Sequence, residues 1–189
     1  APSNYLYIST NAPVNVRRKC HLLCQQMQDI GLRTQLESSS KLLPCQALFT
    51  PSASFPKWDH LDKPLRPQVA MPDGYRLMVS ADGALLHGHD EQGLQYAGAT
   101  LRQLLQDGPE IPGVEIEDAP LLPFRIMHLD FKGWVPTLDY LKGVITTFAD
   151  LKINGLMLEY ESFFNFPSQS GLASEGAFSP GDAAEFELL

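Results

Sequence analysis

Apolar and polar positions change period several times along the chain, and each change marks an element. Residues 5–8 read as a strand, and residues 16–30 then place Val16, Cys20, Leu23, Cys24, Met27 and Ile30 at helical spacing, with Asn15 able to cap the helix and Gly31 able to end it. Residues 32–36 alternate as a second strand. A proline-studded stretch over 44–72 follows, in which only residues 46–50 have strand character. Two alternating runs, 75–80 and 84–89, flank Asp82-Gly83 and predict a hairpin, since glycine takes the positive φ of a tight turn without steric cost. Over 93–105 the period becomes helical again, through Leu94, Ala97, Leu101, Leu104 and Leu105. Residues 114–116 form a short extended piece, and Asp118-Ala-Pro120-Leu-Leu-Pro123 resists both helix and ladder, which marks a boundary.

Beyond that boundary the pattern is of another kind. Residues 125–131 form an apolar run suited to a buried strand, residues 137–151 an amphipathic helix, and residues 155–160 a second buried strand. This predicts a βαβ unit with parallel strands and a right-handed crossover. A long loop over 163–178 leads to Ser179-Pro180, a cap followed by proline at the first helical position, and that helix is expected to run to the chain end at Leu189. The expected fold class is therefore α/β. Residues 1–118 form an α+β domain, a sheet with helices packed on it, and residues 119–189 a second piece that begins with the βαβ unit.

Composition narrows the function classes. Among 189 residues, 44% are hydrophobic and 19% charged, so a packed core is expected and wholesale disorder is not. Lys+Arg 14 against Asp+Glu 22 gives a net charge of -8, the wrong sign for a phosphate-backbone binder, and no nucleic-acid partner is expected. Ten basic and thirteen acidic groups fall in residues 1–118, four and nine in residues 119–189, which concentrates the acidic excess in the second piece. No apolar stretch approaches the roughly 20 residues of a membrane helix, so no membrane partner is expected. Three cysteines are too few and odd in number for a disulfide framework. Together with an N-terminus lacking a basic segment and an apolar run, this favours a cytoplasmic location.

Candidate chemistry is sparse. Cys20 and Cys24 lie one helical turn apart, but on the apolar stripe, where thiols pack as small hydrophobes, so no metal is expected there. His87 and His89 are two apart on a strand, followed by Asp90 and Glu91. A solvated sheet face accounts for them better than a metal site. There is no H-E-x-x-H, no phosphate-cradling glycine loop and no G-x-S-x-G elbow. Glu159 and Glu161 end the last buried strand and share a face. The carboxyl ends of parallel strands are where ligand sites lie, so these two carboxylates are the strongest site candidates, against the alternative that they merely terminate the strand.

Several ordered motifs carry a family resemblance. Gly93-Leu-Gln-Tyr96-Ala-Gly98-Ala-Thr100-Leu-Arg-Gln103-Leu104 resembles the helix that closes the N-terminal accessory domain of glycoside hydrolase family 20, the β-N-acetylhexosaminidases. Asp118-Ala-Pro120, Arg125, Asp130 and Lys152-Ile-Asn154 resemble that family's passage into the first strand, helix and second strand of its catalytic (β/α)8 barrel. His128-Leu-Asp130-Phe-Lys132-Gly133 and Leu158-Glu159-Tyr160-Glu161 are closest to the hexosaminidase D-like branch. The chain departs from the commoner pattern at Gly133, Met157, Glu159 and Ser162.

The resemblance implies an accessory domain over 1–118 and the start of a truncated barrel over 119–189. It implies a retaining glycosidase that releases terminal N-acetylhexosamine by substrate-assisted catalysis, with no cofactor and a carbohydrate as partner. The family's catalytic Asp-Glu pair belongs on a fourth barrel strand, so no catalytic residue is expected in this chain, which should be inactive alone and should self-associate through its exposed barrel strands. Asp90-Glu91, which follows a hairpin strand, is not that pair. By resemblance Arg125 grips the terminal sugar, whereas its place at the opening of the first strand puts it near the bottom of the barrel; for both to hold, the strand must begin later than the pattern suggests or Arg125 must reach inward, towards Glu159 or Glu161. Its alternative role is an architectural pair inside the barrel. The alternative for the whole chain is a non-catalytic α/β binding or scaffold module.

Overall fold

The computed structural model describes residues 4–58, 61, 63–106, 108 and 110–186. It contains two compact units, residues 1–121 and 122–189. In the first, β1 (Asn4–Ser9), α1 (Val14–Asp29), β2 (Thr34–Ser39), β3 (Gln46–Thr50), β4 (Tyr75–Ser80), β5 (Gly83–Gly88), α2 (Glu91–Leu105) and β6 (Val114–Asp118) follow in order. The six strands form one sheet in the order β2-β1-β3-β5-β4-β6. Only β1 and β2 run parallel, across α1; the other pairs are antiparallel.

Alternate strand residues point to one face, where Leu6, Ile8, Ala47, Leu77 and Leu86 meet Val16, Cys20, Met27, Leu94 and Leu101 of the two helices. Cys20 and Cys24 are part of this layer. Burial, with Cys45 and Cys24 nearby as lesser causes, pushes the Cys20 thiol up to about 12, which suits packing rather than ligation.

The opposite face is covered as well, by the described residues of the segment 51–74, a strap that has almost no regular structure among them. Phe55, Trp58 and Leu61 of the strap pack against Tyr7, Leu48 and Leu85. A row of polar side chains fastens it. Gln46, His87, Arg76 and Glu117 stand side by side across β3, β5, β4 and β6. Gln46 donates to the Leu61 carbonyl at 2.9 Å. Arg76, 1% exposed, donates to the Lys63 carbonyl at 2.9 Å and the Pro64 carbonyl at 3.3 Å, and lies 3.9 Å from Glu117. A buried guanidinium persists only when so engaged.

Several expectations are corrected in detail. α1 begins at Val14, after Pro13, so Asn15 lies inside the first turn and caps nothing; Gly31, at φ 85°, does follow the helix end. The hairpin turn is centred on Ala81 and Asp82, with Gly83 at φ 135° opening β5, where a Cβ would meet the Phe49 carbonyl at 2.2 Å. β5 ends at Gly88, so His89 is outside the strand and exposed, while His87 is buried under the strap rather than solvated. Asp90 is the N-cap of α2: its carboxylate accepts from the Gly93 amide at 2.8 Å and the Asp73 amide at 2.9 Å.

The second unit contains β7 (Ile126–Asp130), α3 (Leu138–Asp150), β8 (Gly155–Glu159), a 3₁₀ segment (Pro167–Leu172) and α4 (Pro180–Phe186). β7 and β8 pair in parallel, with α3 between them in sequence, and Phe131, Leu141 and Phe178 form the core beneath. The long loop folds back on this core, with Tyr160 4.8 Å from the Phe164 ring centroid and Phe131 5.7 Å from that of Phe178. Ser179 caps α4 reciprocally with Asp182, and the expected extension of that helix over 187–189 lies outside the described residues.

Candidate functional site

The register of β7 on β8 decides which side chains share a face. Ile126, His128 and Asp130 stand opposite Gly155, Met157 and Glu159, and alternation sends these six to the face away from the aromatic core. That face is graded. At the amino ends it is apolar and open, with Ile126 54% and Met157 55% exposed. At the carboxyl ends it is acidic: Asp130, Glu159 and Glu161 bring one oxygen each to within 4.8 Å of one another.

Two nitrogen groups lie against these carboxylates. His128 Nε2 lies 3.0 Å from Glu159 Oε2, and Lys132 Nζ lies 4.0 Å from Glu161. Asp130 accepts from the Lys132 amide at 2.9 Å, which turns the chain sharply after β7. Glu161 has φ 53°, in the left-handed region, so the chain turns directly behind it as well. The arrangement suits hydrogen bonding to hydroxyl groups, with carboxylates accepting and the imidazole and ammonium donating. Exposed carboxylates grouped in this way assign no metal on their own.

Both carboxylates that the sequence singled out are therefore together at one strand end, and Asp130 and His128 join them. In the sequence Asp130 stands out only as part of a motif, although its place at the last position of a parallel strand is signal enough.

Arg125 is elsewhere. It stands just before β7, five residues or roughly 16 Å back along the strand from Asp130. Its Nε donates to the Lys152 carbonyl at 2.7 Å and its Nη1 to the Leu122 carbonyl at 2.6 Å. Its reach towards Glu159 or Glu161 is not observed, because two carbonyls at the amino end of the strands hold the guanidinium. These contacts have a local cause. Helix α3 ends with Lys152 at φ 61°, the Lys152 amide on the Ala149 carbonyl and the Ile153 amide on the Phe148 carbonyl, a Schellman closure with Lys in the usual glycine position. Asn154 then accepts from the Arg125 amide at 2.8 Å and donates to the Pro123 carbonyl at 2.7 Å. Arg125 and Lys152-Ile-Asn154 form one clasp that sets where β7 and β8 begin.

With this geometry in hand, likeness to known proteins assigns the chain. Residues 9–119 match the domain described as "Glycosyl hydrolase family 20, domain 2". The chain belongs to glycosyl hydrolase family 20. It is 37% identical over 62 residues to Hexosaminidase D of Homo sapiens, an alignment covering 32% of this chain and 13% of that protein. It thus spans a small part of that relative's length. Its fold is like that of the family 20 β-N-acetylhexosaminidase of Streptomyces coelicolor A3(2), with a TM-score of 0.66 and 22% identity over 98% of this chain and 40% of that one. A mutant Streptomyces plicatus β-hexosaminidase in complex with product GlcNAc aligns with a TM-score of 0.58 and 23% identity over 87% of this chain and 33% of that one.

Proposed function

We propose that these residues are the N-terminal part of a retaining glycosidase that removes terminal N-acetylhexosamine. In this reading residues 1–118 are its accessory domain and residues 119–189 the first strand, helix and second strand of a (β/α)8 barrel. The observation that carries the reading is the family 20 match over 9–119, followed directly by a parallel βαβ unit whose free face ends in Asp130, Glu159 and Glu161. A barrel interior has this grading, packed and apolar below, with the ligand at the carboxyl ends of the strands.

The proposed chemistry is substrate-assisted. The sugar's own acetamido oxygen attacks the anomeric carbon, an Asp orients it, and a neighbouring Glu protonates the leaving oxygen and later activates water. The pair that does this is assigned to a later strand, outside these residues. Glu159 and Glu161 are assigned to sugar hydroxyls at the pocket wall. Arg125 takes the architectural of its two roles, because its guanidinium is engaged at the amino end of the strands.

The test is hydrolysis of a chromogenic N-acetyl-β-hexosaminide by the complete protein that contains these residues. Turnover is expected, with kcat/KM lowered about tenfold or more by Glu159→Gln and by Glu161→Gln and melting temperatures little changed. Absence of turnover on both gluco- and galacto-configured substrates would overturn the enzyme reading; wild-type kcat/KM in both variants would remove the two carboxylates from the site.

A further inference from the structure

The first unit carries a cleft of about 460 Å³ beside the strap, inside the range of roughly 300–1,000 Å³ typical of small-molecule sites. Strand register builds its floor. Met78 on β4 stands opposite Glu115 on β6, and Ser80 follows two residues along β4, so the three share the face that the strap covers. Lys57 and Trp58 come from the strap and Asp82 from the hairpin turn.

The lining has two characters. Trp58 and Met78 are apolar and partly buried, whereas Lys57, Ser80, Asp82 and Glu115 are exposed and polar. The Glu115 carboxylate is only loosely held, since Arg66 lies 4.0 Å from it and sits closer to Glu117, at 3.2 Å. Asp82 and Glu115 against Lys57 and the nearby Arg66 leave no cationic excess, which in a chain of net charge -8 disfavours phosphates and other anions. A neutral ring with an apolar C–H face and a hydroxyl edge meets both demands: its face lies on the indole, and its hydroxyls donate to carboxylates and accept from the ammonium. Trp58 Nε1 is shielded from solvent, so it is the ring of the indole and not its N–H that the cleft can present to a ligand.

We propose that this cleft is a saccharide-binding subsite, with Trp58 as its platform and Glu115, Asp82 and Lys57 as its hydrogen-bonding edge. It lies wholly in the first unit and goes beyond the function proposed above, on which it does not rest.

The experiment is a titration of the ¹⁵N-labelled chain with chitotriose and, separately, cellotriose, followed through the Trp58 indole signal and the Met78 and Glu115 amides. Saturable shifts at these signals are expected with a Kd of about 1 mM, since a shallow site engages one or two rings. Trp58→Ala should weaken binding about tenfold, and Glu115→Gln with Asp82→Asn, which leaves the apolar packing untouched, should weaken it about threefold or more. The result that overturns the proposal is any of three: no saturable shift by either sugar up to about 50 mM, unchanged affinity in the Glu115→Gln and Asp82→Asn double variant, or shifts confined to β7 and β8. The last would leave the carboxylate cluster of the second unit standing while removing this site, so the two proposals fail separately.

Discussion

At the residue scale the least expected group is His87. Burial, and secondarily the charge of Arg76, lowers its pKa from 6.5 to about 4, so the folded protein holds it neutral where an unfolded chain would protonate it. The unfolded state therefore binds more protons between pH 6.5 and 4. The contribution of His87 is fully present above pH 6.5 and is lost as pH falls through that window, by up to about 3 kcal/mol, levelling off below it. Urea unfolding of the wild type and His87→Gln at pH 7 and pH 4.5 checks this: the variant should lose distinctly less stability on acidification. Equal losses would mean that His87 is not held neutral. Arg125 offers a second test at this scale. Arg125→Lys keeps the charge but loses the fork that spans the Lys152 and Leu122 carbonyls. A stability loss on the order of 1–2 kcal/mol is expected, with activity per folded molecule unchanged in the complete protein. A tenfold fall in kcat/KM at an unchanged melting temperature would return Arg125 to the sugar pocket.

At the scale of elements the strap depends on one side chain more than on any packing of its own. Arg76→Ala removes the donor to two strap carbonyls and leaves Glu117 with the more exposed Arg66 as its cation. The expected cost is about 2–4 kcal/mol, mostly from the two carbonyls left without their charged donor. Trypsin should then cut after Lys57 well before the helices, Lys63 and Arg66 being protected by the prolines that follow them; an intact strap under these conditions would show that apolar packing alone holds it.

The strap also explains what the sequence did and did not disclose. Strands β3 and β4 were readable to the residue, because alternation and turn chemistry are local. The environment of His87 was misread because a proline-rich stretch without periodicity gives no sign that it will bury a second sheet face. Helix α1 starts two residues earlier than its apolar stripe, since Pro13 sets the first turn without a side-chain cap. In the second unit the capping of α4 by Ser179 and the parallel strand pair were legible from spacing alone. Of the site, Glu159 and Glu161 were legible from strand direction. The place of Arg125 at the amino end of the first strand was legible as well, but its partners were not, because one carbonyl belongs to a helix end that lacks the usual glycine and the other to the loop before β7.

At the scale of the whole molecule, a two-stranded sheet with unpaired edges and exposed Ile126 and Met157 is an open template for strand addition. Residues 1–189 alone should therefore self-associate, and light scattering coupled to sizing should give a mass that rises with concentration. A strictly monomeric profile at high concentration would count against the barrel reading of this face.

The central proposal is that these residues belong to a retaining β-N-acetylhexosaminidase whose catalytic pair lies on a later strand. Proton NMR of the sugar released from an N-acetyl-β-hexosaminide tests it most directly. The complete protein should release the β anomer first, since retention follows from attack by the substrate's own acetamido group, and residues 1–189 alone should release nothing above a heat-killed control. First release of the α anomer, or turnover by residues 1–189 alone, would contradict it.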